Sequence, residues 1–246
     1  MSCFKKNILW PGDFMNIIND KQLIKEYVNK FSIDKFFSND MLDHFVLHKY
    51  NTGDFICLTG ESLEYLRFLV KGKCKISIFL ENGKSLLLRF GSPLTLIGDL
   101  EIANNSLYDC NLQCIDEIHC VSIPVKIIEE HCNNDSVFWH EICKSLSRKL
   151  RTSASSSSIN LLYPLESRLA SYLIAISSSY NENKTIRSDI HTSKLSDIAD
   201  LLGTSYRHLA RTINVLCEKG IISRSGKAII VENYQALSEL AGDIYI

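Results

Sequence analysis

The sequence predicts an α+β chain in which an antiparallel β-roll is followed by a long helix and then a winged helix-turn-helix. Three observations carry that expectation. Between residues 49 and 123, short apolar runs alternate with Gly, Asn and Ser, the spacing of a roll or sandwich. Phe138, Ile142, Leu146 and Leu150 recur every four residues, as on one face of a long helix. Residues 193–231, SKLSDIADLLGTSYRHLARTINVLCEKGIISRSGKAIIV, read as two short amphipathic helices around Gly203, followed by a hairpin. The expected divisions are 1–134 for N-terminal helices and roll, 135–162 for the long helix and 163–246 for the winged helix.

The chain has 246 residues, 46% hydrophobic and 22% charged, ordinary for a soluble chain of two modest domains. No apolar run approaches the ~20 residues that span a bilayer. The start, MSCFKKNILWPGDF, lacks a long apolar core and a small-residue cleavage site, so a cytoplasmic protein without membrane contact is expected.

From Met15 to His48 the pattern reads as helical, with Ile17, Ile18, Leu23, Ile24, Tyr27, Val28 and Phe31 in one stripe and Leu42, Phe45 and Val46 in another. The runs FICL, YLRFLV, CKISIFL, SLLLRF and LTLIGDL then give strands, with two more through Ile123. Asn82-Gly83 suits a type I′ hairpin, and Gly53, Gly60, Gly72 and Gly98 mark other corners. VKIIEEH begins helical structure after Pro124, and the long helix runs over about 135–160. Its serine-rich stretch, 153–158, is weak helix on propensity, but apolar spacing resumes at Ile159, Leu161 and Leu162. Pro164 ends it. Leu165, Leu169, Tyr172, Leu173 and Ile176 then stripe the next helix, and SSSYNENKTIRSDIHTS is a polar loop with room for one short strand.

In the C-terminal motif, Leu195, Ile198, Ala199, Leu201 and Leu202 form a buried side with Asp197 and Asp200 toward water. Gly203 permits the left-handed turn. Ser205 is suited to cap the second helix, Leu209, Ile213 and Leu216 make its buried stripe, and Gly220 sits at its C-cap. Tyr206, Arg207 and Arg211 are left outward together. Guanidinium groups near a helix N-terminus can bond guanine O6 and N7 bidentately, while Thr204 and Ser205 suit phosphates. Over 204–227, Arg207, Arg211, Lys219, Arg224 and Lys227 oppose Glu218 alone, in a chain of net charge −1. Basic charge is thus gathered where DNA would lie, with Arg224 and Lys227 at the tip of the wing meeting the backbone.

These residues resemble the C-terminal domain of the Crp/Fnr superfamily of bacterial transcription regulators, and SYRHLARTINVL resembles its YeiL-like branch. Gly53-Asp54, Gly60-Glu61, Val70-Lys71-Gly72, Asn82-Gly83 and Ile97-Gly98-Asp99-Leu100 likewise resemble the family's cyclic-nucleotide-binding-type jelly roll. The resemblance implies a homodimer paired through the long helix, DNA as partner, an operator of near-palindromic symmetry, contact with RNA polymerase and no enzymatic activity. Two departures qualify it. Members commonly carry Arg-Glu after the serine equivalent to Ser205, where this chain has Tyr206 and Arg207, so a glutamate that would accept from cytosine is missing. The arginine and serine that bind a cyclic phosphate fall by spacing at Asp109 and Cys110, and ANNSLYDCN holds no Arg or Lys. An aspartate there repels phosphate, so the expected effector at Gly98, Asp99, Leu100, Asp109 and Cys110 is something other than cAMP, or none.

Nine cysteines, odd in number and without an export signal, are expected to be mostly buried thiols. Cys110, Cys114 and Cys120 form the alternative, a redox site or an iron-sulfur cluster. Against a disulfide, Cys110 and Cys114 on one strand stand ~13 Å apart, and Cys3 lacks the N-terminal cysteine group of oxygen-sensing relatives. A cupin-like metalloenzyme is the remote alternative: His119 is the only histidine of the later strands, His44 and His48 precede it, His131 follows, and no H-x-H pair exists.

Overall fold

The N-terminal stripe divides at Asn19 and Asp20 instead of continuing as one helix. Asn16–Ile18 (β1) is a strand, antiparallel to Val46–Tyr50 (β2), with Ile17 opposite His48. Asp20 then caps Lys21–Phe31 (α1), accepting from Leu23 N at 2.9 Å. The second stripe divides as well: Leu42–His44 is a short 3-10 turn and Val46 begins β2. The helical expectation for Met15 to His48 therefore holds only over α1 and the 3-10 turns Ile33–Phe36 and Leu42–His44, because strand pairing claims apolar residues that fit either period. The computed structural model describes residues 16–79, 85–176, 186–188, 195–225 and 228–242, giving backbone alone for 152–162 and 186–188.

The roll follows the predicted runs. Its strands are Phe55–Cys57 (β3), Tyr65–Lys71 (β4), Cys74–Phe79 (β5), Ser85–Gly91 (β6) and Leu96–Ile97 (β7). After the short helix Asp99–Asn104 (α2) come Asn111–Cys114 (β8) and Ile118–Pro124 (β9). One sheet runs β1-β2-β9-β4-β7 and the other β3-β8-β5-β6. The Asn82-Gly83 turn lies outside the described residues. Gly72, between β4 and β5, has φ +85°, and a Cβ there would sit 2.3 Å from the Glu117 carbonyl oxygen, so both conformation and space demand glycine.

Register in the first sheet sorts its side chains. Phe68 stands opposite Val121 and Arg67 opposite Ser122, while His48 stands opposite Cys120. Leu47, Leu66, Phe68, Val70, Val121 and Ile123 therefore share one face and pack with Ile24 and Val28 of α1. Val125–His131 (α3) and Ser136–Leu162 (α4) complete that layer with Ile128, Phe138 and Ile142. Asp135 starts α4: Oδ1 accepts from Val137 N at 2.9 Å and Phe138 N at 3.2 Å, and Oδ2 from Ser38 N at 2.8 Å.

The four-residue stripe of α4 is not uniformly buried. Phe138 stacks on Phe37 at 5.6 Å, Ile142 is buried beside it and Leu146 is partly covered by the same core, whereas Leu150 is 73% exposed. The first turns of the helix are spent on their own roll. Backbone over 153–158 is helical.

By internal contacts the chain forms two units, 1–75 with 91–148, and 76–90 with 149–246. In the second, Leu165–Ile176 (α5), Leu195–Leu201 (α6) and Tyr206–Glu218 (α7) enclose an apolar core, with the sheet Ile186–Ser188 (β10), Ile222–Ser225 (β11) and Ala228–Val231 (β12) in order β10-β12-β11. A final helix, Tyr234–Ala241 (α8), which the sequence pattern does not announce, is capped by Asn233 and buries Leu237 and Ala241 there. Leu87 joins this core from β6.

Candidate nucleic-acid interface

The crossing of α6 and α7 is set by hydrogen bonds around Gly203, whose φ is +61°. Thr204 N donates to Ala199 O at 2.8 Å and Gly203 N to Asp200 O at 3.0 Å, closing α6 as a Schellman-type turn. Arg168 of α5, itself buried, donates Nη1 to the Leu202 carbonyl and so satisfies an end-of-helix acceptor that solvent does not reach. Ser205 then caps α7, its Oγ accepting from His208 N at 3.2 Å. Leu209, Thr212, Ile213 and Leu216 are buried, and Thr212 Oγ1 donates to His208 O at 3.1 Å, which leaves its methyl for the core.

What remains outside is a polar face on the first three turns. Tyr206 is 56% exposed, and Arg207, His208, Arg211 and Asn214 are exposed with it. Arg207, Arg211 and Asn214 follow one another at spacings of four and three, so they line one edge. His208 and Asn214 were not singled out from sequence, although helical spacing from Arg207 and Arg211 locates Asn214. Thr204 is half-buried, its Oγ1 3.3 Å from His208 Nδ1, which holds that imidazole over the turn. On the wing, Ser225 pairs with Ala228 and Arg224 is exposed. Lys227 lies outside the described residues.

The local charge is smaller than the residue count suggests. Lys219 Nζ is 3.1 Å from Glu166 Oε2 of α5, so its charge is matched within the fold. Arg207, Arg211 and Arg224 carry the basic character of the described face.

The residues expected to form an effector pocket are not gathered into one. Gly98 leads into α2, where Asp99 is fully buried and accepts from Ser145 Oγ of α4 at 2.6 Å and Leu100 N at 3.0 Å. Leu100 and Asp109 are exposed and Cys110 is half-buried. The thiols divide too. Cys114 and Cys120 are buried, and burial pushes both thiols well up, so they stay protonated. None of the eight cysteines among the described residues is in a disulfide, and no three His, Cys, Asp or Glu among those residues gather as a metal site.

Two histidines of the roll face opposite sides of one sheet. His48 lies on β2 inside the roll, and His119 on β9 points to the opposite face, where Nδ1 meets Tyr27 Oη at 3.1 Å. Arg67 was also missed. It is a buried guanidinium in the middle of YLRFLV, where period-2 burial gave no reason to expect a charge.

A capped recognition-type helix with a wing, following a double-sheeted roll and a long helix in the chain, is the arrangement of Crp/Fnr-type transcription regulators, and the chain carries both of their domains. Residues 167–240 match the Crp-like helix-turn-helix domain and residues 47–135 the cyclic nucleotide-binding domain. The chain is similar to the regulatory protein YeiL of Escherichia coli O157:H7, at 28% identity over 188 residues, covering 76% of this chain and 82% of the relative. Its fold matches a transcriptional regulator of the Crp/Fnr family from Eubacterium rectale with a TM-score of 0.69 at 14% identity, over 89% and 94% of the two chains. A CRP-family regulator of Thermus thermophilus gives 0.64 at 18% identity, over 80% and 98%. None of the described helices is long and apolar enough to cross a membrane.

Proposed function

We propose that this regulator binds a near-palindromic DNA operator as a homodimer, with half-sites about one helical turn apart. In this reading residues 1–134 receive the signal, 135–162 pair the protomers and 163–246 bind DNA in the cytoplasm, with RNA polymerase as a further partner. One observation carries it: Tyr206, Arg207 and Arg211 are exposed together on the first turns of a helix capped by Ser205. That end of α7 enters the major groove. Arg207 and Arg211 read guanine edges, Tyr206 reads a base edge or thymine methyl, and Thr204, Ser205, Arg224 and Lys227 hold phosphates. Exposed Leu150 supports pairing through the later part of α4, since an apolar side chain left in water there gains by meeting its symmetry mate. The effector is other than cAMP, or none is needed, because Asp109 stands where a phosphate-binding arginine belongs and is exposed.

Arg211→Ala tests the DNA reading. Selection of bound sequences from a random pool gives the operator, and fluorescence anisotropy then gives affinities. The variant should lose about 1 to 3 kcal/mol of specific binding and relax sequence choice at one position. Unchanged affinity for the selected operator would remove α7 from the groove.

A further inference from the structure

The face of the β1-β2-β9-β4-β7 sheet that looks away from α1, α3 and α4 contains a positive charge with neutral partners only. Arg67, 6% exposed, donates Nε to Tyr50 Oη at 3.1 Å. Its Nη1 donates to Tyr108 Oη at 3.1 Å and to the Tyr65 carbonyl at 3.0 Å, and the guanidinium lies 5.4 Å from the Tyr65 ring centre. Among the described residues no carboxylate pairs with it and nothing accepts from Nη2. Glu101 of α2 is buried as well.

The donors around this guanidinium are also unspent. A phenolic oxygen that accepts an N–H still has its own proton to give, and no described group accepts from Tyr50 or Tyr108. His48, two residues before Tyr50 on the same face, meets the Tyr65 ring edge-on at 4.7 Å. It is 0% exposed, and neither ring nitrogen has a partner. In a low-dielectric interior a guanidinium bonded only to neutral acceptors, and ring nitrogens with no partner, are unfavourable unless an acceptor meets them. All of them converge from β2, β4 and the segment before β8.

We propose that the roll interior binds a compact planar oxyanion, a small carboxylate or an inorganic anion such as nitrite or nitrate, with Arg67 as its counter-charge. Tyr50 and Tyr108 donate their hydroxyl protons to it and His48 its N–H. All four side chains are nearly fully buried, which favours a guest of a few atoms over a nucleotide. The site's charged centre is Arg67 on β4, and it takes Tyr108, not the exposed Asp109 that follows it, from the segment before β8. It deepens the reading of the roll as the signal-receiving part of a DNA-binding regulator and rests on that reading only for its consequence, not for binding itself.

The test is calorimetry on the purified full-length protein at constant ionic strength, titrating sodium formate, acetate, nitrite and nitrate in separate arms, with thermal unfolding in parallel. Saturable binding of a carboxylate or of an inorganic anion is expected, and the arm that responds identifies the source. Arg67→Met should lose at least about 100-fold in affinity, and Tyr50→Phe and Tyr108→Phe, which keep the rings, about 10-fold each. If Arg67→Met does not fold, the two Phe variants carry the test. No saturable heat in any arm, or Phe variants that bind like the parent chain, overturns the site. Operator binding measured separately distinguishes the two ideas: loss of the anion with DNA binding intact removes this inference alone, and anion binding without any DNA binding removes the regulator reading instead.

Discussion

The two faces of the five-stranded sheet are built on opposite rules. Toward α1, α3 and α4 it presents Leu47, Leu66, Phe68, Val70, Val121 and Ile123, in a layer that includes Phe37, Phe138 and Ile142. Toward the other side it presents His48, Tyr50, Arg67, Cys120 and Ser122 among Leu69 and Ile118, all buried. The same strands supply both, one residue apart. An apolar layer stabilises through area and close packing, neither of which requires a particular partner. A buried polar layer costs stability wherever a donor goes unmet, so its presence here points to a task other than holding the unit together.

The largest expected effect falls on the apolar face. Phe68 meets the rings of Phe36, Phe37 and Phe45 at centroid distances of 5.0, 6.4 and 6.5 Å. Phe68→Ala should cost about 3 to 5 kcal/mol in urea unfolding, through lost area and a cavity the surrounding rings do not fill. A midpoint within error of the parent protein's would mean that this layer is not what stabilises the unit.

On the polar face the next largest effect is a dependence on pH. Burial, and then the charge of Arg67, push His48 down to about 4. The unfolded chain takes up this proton near pH 6.5 and the folded one only near 4, so the unfolded state binds more protons between those values. Stability is therefore full above about pH 6.5 and falls as the solution is acidified toward 4, by about 3 kcal/mol from this residue. His48→Phe should flatten that part of the stability curve. His119, lowered by burial and by Lys71, contributes in the same direction and is unchanged in the variant, so the difference between the curves isolates His48. Asp135 acts at more acid pH: its burial opposes ionisation, but the N–H groups of Ser38, Phe138 and Val137 outweigh that and hold it low, so its contribution disappears as pH falls through the folded value. Parallel curves for parent and variant would show that His48 is not kept neutral by the fold.

The contrast also explains what is legible in the sequence. The winged helix is, because each of its signals is local: Ser205 caps within three residues, Gly203 and Gly220 turn the chain where they stand, and Leu209, Ile213 and Leu216 declare a face by spacing alone. Roll strands are legible by run length and corner glycines. Their burial on both faces is not, since Arg67 becomes interior only when β9 and β7 pair on either side of β4. For the same reason Ile17 and Val46 read as helical in sequence: what makes them strand residues is β1 pairing with β2 across some thirty residues of intervening chain. The stripe on α4 reads in sequence as one continuous face, but spacing does not say whose core that face meets, and Phe138 and Ile142 are buried in the core beside α1. Lys219 counts as free charge in the sequence because its partner, Glu166, is distant along the chain.

The smallest expected effect gives the sharpest comparison, because it uses adjacent residues of β9. Val121 is buried on the apolar face, and Val121→Ala removes two methyl groups from a packed layer, for about 2 kcal/mol. Ser122 is equally buried but points the other way, with its Oγ 3.4 Å from the Cys120 carbonyl of its own strand. A bond that long adds little, so Ser122→Ala should cost no more than about 0.5 kcal/mol. Both are read from the same urea titration. Equal costs at the two positions would mean that the polar face is packed for stability in its own right, and Arg67 with its phenols would then be a structural network with no need of a guest.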